Sequence, residues 1–227
     1  MNHAKFAQAA YALNLTGKNK QTRLNAADEF LKDTGFKTHD ASNREVSLYF
    51  NPENKTAVIS HRGTAFNNPR DIAGDLSFIA GNADHSKEFE RRRGRTEKLL
   101  KHIPQDHTIH YNGYSYGGAT VVHSLAKSPK LRSRLNGEVH LYNPLTSTHI
   151  PDIVAGKKED KNDVINLLNE KVLTHRTPQD IVSMPGTFGK VELHQPNYKY
   201  KGVIPEHLKK VFETVNQLST HSIKNFV

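Results

Sequence analysis

The segment Asn112-Gly113-Tyr114-Ser115-Tyr116-Gly117-Gly118-Ala119 constrains this chain more than any other. It reads G-x-S-x-G and lies between a β-prone, alternating stretch, Thr108-Ile109-His110-Tyr111, and a stretch with Val121, Val122 and Leu125 at helical spacing. A serine between glycines at a strand-to-helix junction sits on a sharp turn that exposes its hydroxyl. The helix that starts behind it offers backbone N–H groups to a developing oxyanion. The pattern therefore predicts an α/β chain with Ser115 as a nucleophile.

Composition narrows the remaining chemistry. The 227 residues include no cysteine, which excludes disulfides, zinc–thiolate sites and a thiol nucleophile. No run of eighteen apolar residues is present to span a membrane, and the first residues lack the apolar core of a secretory signal. The expectation is a soluble protein, either intracellular or a mature form whose signal has been removed. The chain carries 32 basic against 23 acidic residues, a net charge of +9, which favours anionic partners such as phospholipid, nucleic acid or an acidic protein. The densest basic run is Arg91-Arg92-Arg93-Gly94-Arg95, within a helix expected over Ser86 to His102 and read as its solvated face. No RNA-binding aromatic motif or zinc-finger spacing accompanies it, so nucleic acid is a minor expectation.

The remaining pattern alternates helices and strands. Phe6, Ala9, Ala10 and Leu13 recur at helical spacing, and a second helix is expected from Arg23 to Leu31, stopped by Gly35. Val46 to Phe50 and Thr56 to Ser60 read as a hairpin around Asn51-Pro52-Glu53-Asn54. A loop and short helix are expected from Arg62 to Phe78. Glu138 to Tyr142, Lys171 to Arg176 and Val191 to Leu193 read as strands, and Asp163 to Leu168 as a helix. Pro205 suits the first turn of a last helix bearing Leu208, Val211, Phe212, Val215 and Leu218 on one face. The expectation is a single domain over residues 1–227. Its class is α/β, α/β-hydrolase-like, with a mostly parallel central sheet flanked by helices on both faces.

In that architecture the partners of a nucleophilic serine follow it in the order acid, then histidine. Asp180 follows the strand ending at Arg176 and is the favoured acid; Asp152, Asp160 and Asp163 lie in a polar, Lys/Asp-rich stretch. The base must come from His194, His207 or His221. His207 falls in the first turn of a helix, where the dipole disfavours an imidazolium. His221 follows that helix, in a segment able to fold back over the sheet edge, and is favoured. Val58-Ile59-Ser60-His61-Arg62-Gly63-Thr64 is a strand ending in a glycine turn, from which the Thr64 N–H and hydroxyl, together with the Tyr116 N–H, make an oxyanion hole.

These segments resemble the class 3 (fungal-type) lipases. The R-G-T at Arg62 to Thr64, the Asp75-Leu76 pair within Asp71 to Leu76, and Gly113 to Ala119 are similar to that family's motifs. Asp180-Ile181-Val182-Ser183-Met184-Pro185 is similar to its acid loop, and His221 to Phe226 to its histidine segment. The resemblance runs from about Ser47 to the end of the chain. It implies Ser115, Asp180 and His221 as the triad, Thr64 and Tyr116 as oxyanion donors, and a lid between Thr64 and Lys87, where Phe66, Ile72, Leu76, Phe78 and Ile79 fall. Tyr114 and Tyr116 replace the family's usual His and Leu beside the nucleophile.

The expected function is therefore serine-dependent hydrolysis of lipid esters, of lipase or phospholipase type, through an acyl-enzyme. That chemistry calls for no metal or organic cofactor. The expected partners are a lipid or other ester substrate and, peripherally, an anionic membrane surface; no oligomeric state is specified. The alternative is a hydrolase scaffold kept as a binding or structural component of a larger assembly.

Overall fold

A computed structural model describes residues 1–14, 18–64, 86–144, 158–177 and 188–194. Two helices come first, α1 (His3–Ala12) and α2 (Lys20–Leu31), each started by an asparagine. The Asn2 side chain accepts from the Ala4 N–H and the Asn19 side chain from the Thr22 N–H, satisfying donors that the first turn leaves open. Then come β1 (Lys37–Thr38), β2 (Val46–Asn51) and β3 (Thr56–His61). The basic helix α3 (Ser86–Leu99) runs into a short 3-10 turn, Leu100–His102. Strand β4 (Thr108–Tyr114) leads into α4 (Tyr116–Lys127), followed by the short α5 (Pro129–Arg132), β5 (Val139–Tyr142), α6 (Lys158–Lys171), β6 (Val172–Arg176) and β7 (Lys190–Leu193).

The strands form one seven-stranded sheet in chain order, β1 to β7. β1, β2 and β3 pair antiparallel, and every pair from β3 to β7 is parallel. Alternation along the strands sorts the core into two layers. Leu48, Ile59, Ile109, Tyr111, Val139 and Leu141 face a layer closed by α3, α4 and α6 through Leu99, Val121, Leu125, Val164 and Leu168. Tyr49 and Val58 point the other way, against Phe6, Ala9, Leu24, Ala27 and Leu31 of α1 and α2. Helices thus cover both faces, as expected. Ala4 and Ala7 of α1 continue that second layer against Tyr114 and Tyr142.

A buried asparagine fixes the start of α1. The fully buried Asn112 on β4 donates to the His3 carbonyl at 2.7 Å and accepts from the Ser60 hydroxyl at 3.1 Å. A polar group without such partners in the core would cost about 1–3 kcal/mol.

Two expectations change. α6 begins at Lys158, earlier than the Asp163 start read from its apolar spacing, so Asp160 and Asp163 are helical and not in a loop. The run from Arg91 to Arg95 is not a simple solvated face. Arg92 is 2% exposed, and each arginine of the run meets a carboxylate: Arg91 and Arg95 on Glu45, Arg92 on Glu88, Arg93 on Glu90 and Glu97. The loop expected from Arg62 to Phe78 lies outside the described residues beyond Thr64, as do the last helix and the region matched to a lid.

Candidate active site

Because β3 through β7 run parallel, their C-terminal ends share one edge of the sheet. Ser115 leaves β4 there, Asn143 leaves β5, and Thr177 leaves β6. Open α/β sheets gather reactive groups at this edge.

Ser115 connects β4 to α4 with φ 53° and ψ −125°, a conformation that a residue with a Cβ rarely adopts. Such strain costs on the order of 1–3 kcal/mol and persists only where the surroundings over-determine it. Here the Ser115 N–H donates to the Tyr142 carbonyl at 3.0 Å, and the Gly118 N–H donates to the Ser115 carbonyl at 2.9 Å. The flanking glycines allow the close approach. A Cβ on Gly113 would lie 2.7 Å from the Gly117 carbonyl oxygen and the Gly118 Cα. A Cβ on Gly117 would collide with the His61 carbonyl and lie 2.9 Å from the Arg62 carbonyl carbon. Ser115 precedes the first turn of α4, whose N-terminal N–H groups begin at Tyr116.

The same approach brings the Arg62-Gly63-Thr64 turn against the elbow. A Cβ on Gly63 would lie 2.6 Å from the Tyr114 carbonyl oxygen. Thr64 is buried, and its carbonyl accepts from the Tyr11 hydroxyl at 3.3 Å, so α1 braces the turn. Tyr116 is also buried; it stacks on Phe89, with the Arg92 guanidinium 5.0 Å from its ring centroid. Arg92 also donates to the Arg62 carbonyl, tying α3 to the turn on the other side. The sequence reading missed this role. A long cation beside Glu88 at helical spacing hinted at the ion pair but not at the carbonyl it reaches.

His61, the residue before the turn, is fully buried between the Thr96 and Thr120 hydroxyls, each 2.9 Å from a ring nitrogen. Burial drives its pKa well below the ordinary histidine value, with the Arg92 charge adding to the effect. It stays neutral and packs the elbow from below.

Of the acid candidates, Asp180 and Asp152 lie outside the described residues, and Asp163 sits on the exposed side of α6. The chain does reach the Ser115 edge three residues before Asp180. There Asn143, with φ 37°, accepts from the Thr177 N–H at 2.9 Å and donates to the Thr177 hydroxyl at 3.2 Å. This lock, which the sequence reading took only as the end of a strand before Pro144, fixes the chain at Thr177, three residues before Asp180 in sequence. Of the base candidates, His207 and His221 lie outside the described residues. His194 directly follows β7, and its Nε2 is 3.0 Å from Nδ1 of His175.

Comparison with solved structures places this architecture. Lipase II from Rhizopus niveus aligns over 80% of this chain and 71% of its own, with TM-score 0.50 and 16% identity. A mutant form of MDLA from Penicillium cyclopium aligns over 90% and 81%, with TM-score 0.48 and 11% identity. The Rhizomucor miehei lipase propeptide complex aligns over 86% and 66%, with TM-score 0.46 and 14% identity. No family model and no curated protein sequence matches the chain. The fold is that of the α/β-hydrolases, in the form seen in the fungal lipases.

Proposed function

We propose that this protein is a serine hydrolase of lipid carboxylic esters. The observation that carries the reading is the backbone of Ser115, φ 53° and ψ −125°, at a glycine-flanked turn from a parallel strand into a helix. A fold does not require a serine in so strained a conformation, whereas a nucleophile presented ahead of helix N–H groups does.

In this reading the Ser115 hydroxyl attacks the ester carbonyl while His221 takes its proton. Asp180 holds the imidazole in the right tautomer and stabilises the imidazolium. The Thr64 and Tyr116 N–H groups donate hydrogen bonds to the oxyanion. Collapse of the tetrahedral species expels the alcohol, which takes the proton from His221. Water, deprotonated by His221, then releases the acid and restores Ser115. The +9 net charge suits a substrate presented at an anionic lipid surface.

The test is a chain-length series of p-nitrophenyl esters beside phospholipid vesicles, run with wild type and Ser115→Ala. Wild type should hydrolyse at least one class, and the variant should lose about 10⁴-fold or more in kcat while keeping its fold. Activity unchanged in Ser115→Ala would overturn the assignment, and inactivity of the wild type on every ester would favour the binding-scaffold alternative.

A further inference from the structure

On the sheet face that carries α1, a band of histidines joins strands far apart in sequence. His110 lies on β4, His140 on β5, His175 on β6, and Glu192 and His194 on or just past β7, with His3 of α1 stacked on His140 at 3.6 Å between ring centroids. At the β6–β7 end, three ligand atoms converge. His175 Nδ1 lies 3.0 Å from His194 Nε2 and 3.5 Å from Glu192 Oε2, and the last two are 4.0 Å apart. A point equidistant from three atoms so spaced lies about 2.1 Å from each, the bond length of zinc to imidazole nitrogen and carboxylate oxygen.

Tautomers follow along the band by elimination. The ionised Glu138 can only accept, so His140 donates to it through Nε2, at 3.2 Å. The His140 Nδ1 is then a lone pair, and His175 donates to it through Nε2, at 3.1 Å. That leaves the Nδ1 lone pair of His175 turned toward His194 Nε2, 3.0 Å away, and Glu192 Oε2, 3.5 Å away, where it can accept the His194 N–H or bind a cation. The stacking of His175 on Tyr142, 4.4 Å between centroids and 8° between planes, holds its ring in this orientation.

We propose that His175, Glu192 and His194 bind a divalent transition metal ion of the zinc type, with His140 and Glu138 orienting His175 from behind. The two-histidine, one-carboxylate set suits zinc among imidazole-preferring metals. The chain Glu138–His140–His175 is the carboxylate-backed arrangement by which metal-binding histidines are held in the required tautomer. Glu192 keeps its other oxygen on Lys190 at 3.3 Å, which leaves Oε2 for the metal. Behind the site, His3, His110, Glu138 and His140 place potential ligand atoms within 4.8 Å of one another, and the buried His3 Nδ1 has no hydrogen-bond partner among the described residues. Of the three ligands, Glu192 also lines a surface cleft, with His110, Glu138 and Lys190. Bound there, the metal links β6 to the end of β7.

The experiment uses the untagged full chain, stripped with a chelator and titrated with Zn²⁺ by calorimetry, with Co²⁺ absorption as a second readout. One Zn²⁺ per chain should bind, Co²⁺ should give a four- or five-coordinate visible spectrum, and Mg²⁺ should not compete. Glu192→Gln and His194→Ala, on the solvent-facing end of the last described strand, should weaken Zn²⁺ binding by about 100-fold, and Glu138→Gln by about 10-fold. The His107→Ala and Ser115→Ala variants should bind as wild type does. Absence of stoichiometric Zn²⁺ binding by wild type, or equal affinity in a folded His194→Ala variant, would overturn the assignment.

Discussion

At Ser115 the backbone is under strain that its neighbours must hold, so the flanking glycines carry stability as well as the geometry of the turn. Gly117 is the sharpest case, because a Cβ there meets the backbone of His61 and Arg62, and no side chain can rotate away. Gly117→Ala should destabilise the protein by about 1–3 kcal/mol through overpacking and displace the elbow, with ester hydrolysis falling by a larger factor than stability alone explains. Gly94 is the counterpart. It lies inside α3 with open space around its would-be Cβ, so Gly94→Ala should stabilise by about 0.5–1 kcal/mol. Urea denaturation of the two variants beside wild type checks both signs. A stabilised Gly117→Ala variant would mean that the elbow is less tightly packed than the contacts imply.

Among the elements, α3 differs most from its sequence reading. Its four arginines face carboxylates, and Arg92 is buried with a hydrogen bond to Glu88 and another to the Arg62 carbonyl. Arg92→Ala removes both and leaves that carbonyl without this donor, at a cost of about 1.5–3 kcal/mol. Arg91→Gln and Arg93→Gln break partly solvated pairs worth about 0–1 kcal/mol each. Thermal unfolding of the three variants separates the roles, and equal losses would refute the distinction. The contrast also shows what the sequence made legible. Period-3.6 spacing in α1 and α4, the apolar strand β3, and the turn before β3 were readable because each follows from local steric and burial rules. The partners of Arg92, the Asn143–Thr177 lock and the early start of α6 were not. Two of these depend on contacts between residues 30 or more apart, and the third on a polar first turn without an apolar stripe. Ser115 stood out because its glycines are local; the histidine band did not, because its members join only when the sheet assembles.

Taken as a whole, the molecule stores an unusual amount of neutral imidazole. Burial lowers the pKa of His3 to about 2 and of His123 and His175 to about 4, and drives that of His61 well down; His110 and His140 are lowered too, chiefly by burial. Below the ordinary value of 6.5, the unfolded chain takes up protons that the native chain refuses. Stability therefore rises with pH through this window, is fully present above 6.5, and is lost as pH falls toward the native values. Each such group contributes a slope of about 1.4 kcal/mol per pH unit between those limits. Against a total stability of roughly 5–15 kcal/mol, a few of them acting together suffice for acid unfolding before the carboxylates titrate. Urea midpoints should fall steeply from pH 6.5 to 5 and stay nearly flat from 7 to 8. His123 isolates one contribution, since it stacks on Phe89 of α3, on the sheet face opposite the histidine band, and faces Glu90 at 3.6 Å, Arg93 and Lys127. His123→Phe keeps the stacking while removing the titratable ring, so it should flatten the acid limb by up to about 1.4 kcal/mol per pH unit and leave stability at pH 8 within about 1.5 kcal/mol of wild type. An acid limb as steep in His123→Phe as in wild type would show that this ring is protonated in the native state or already neutral in the unfolded one, and would move the origin of acid sensitivity to the band on the other face of the sheet.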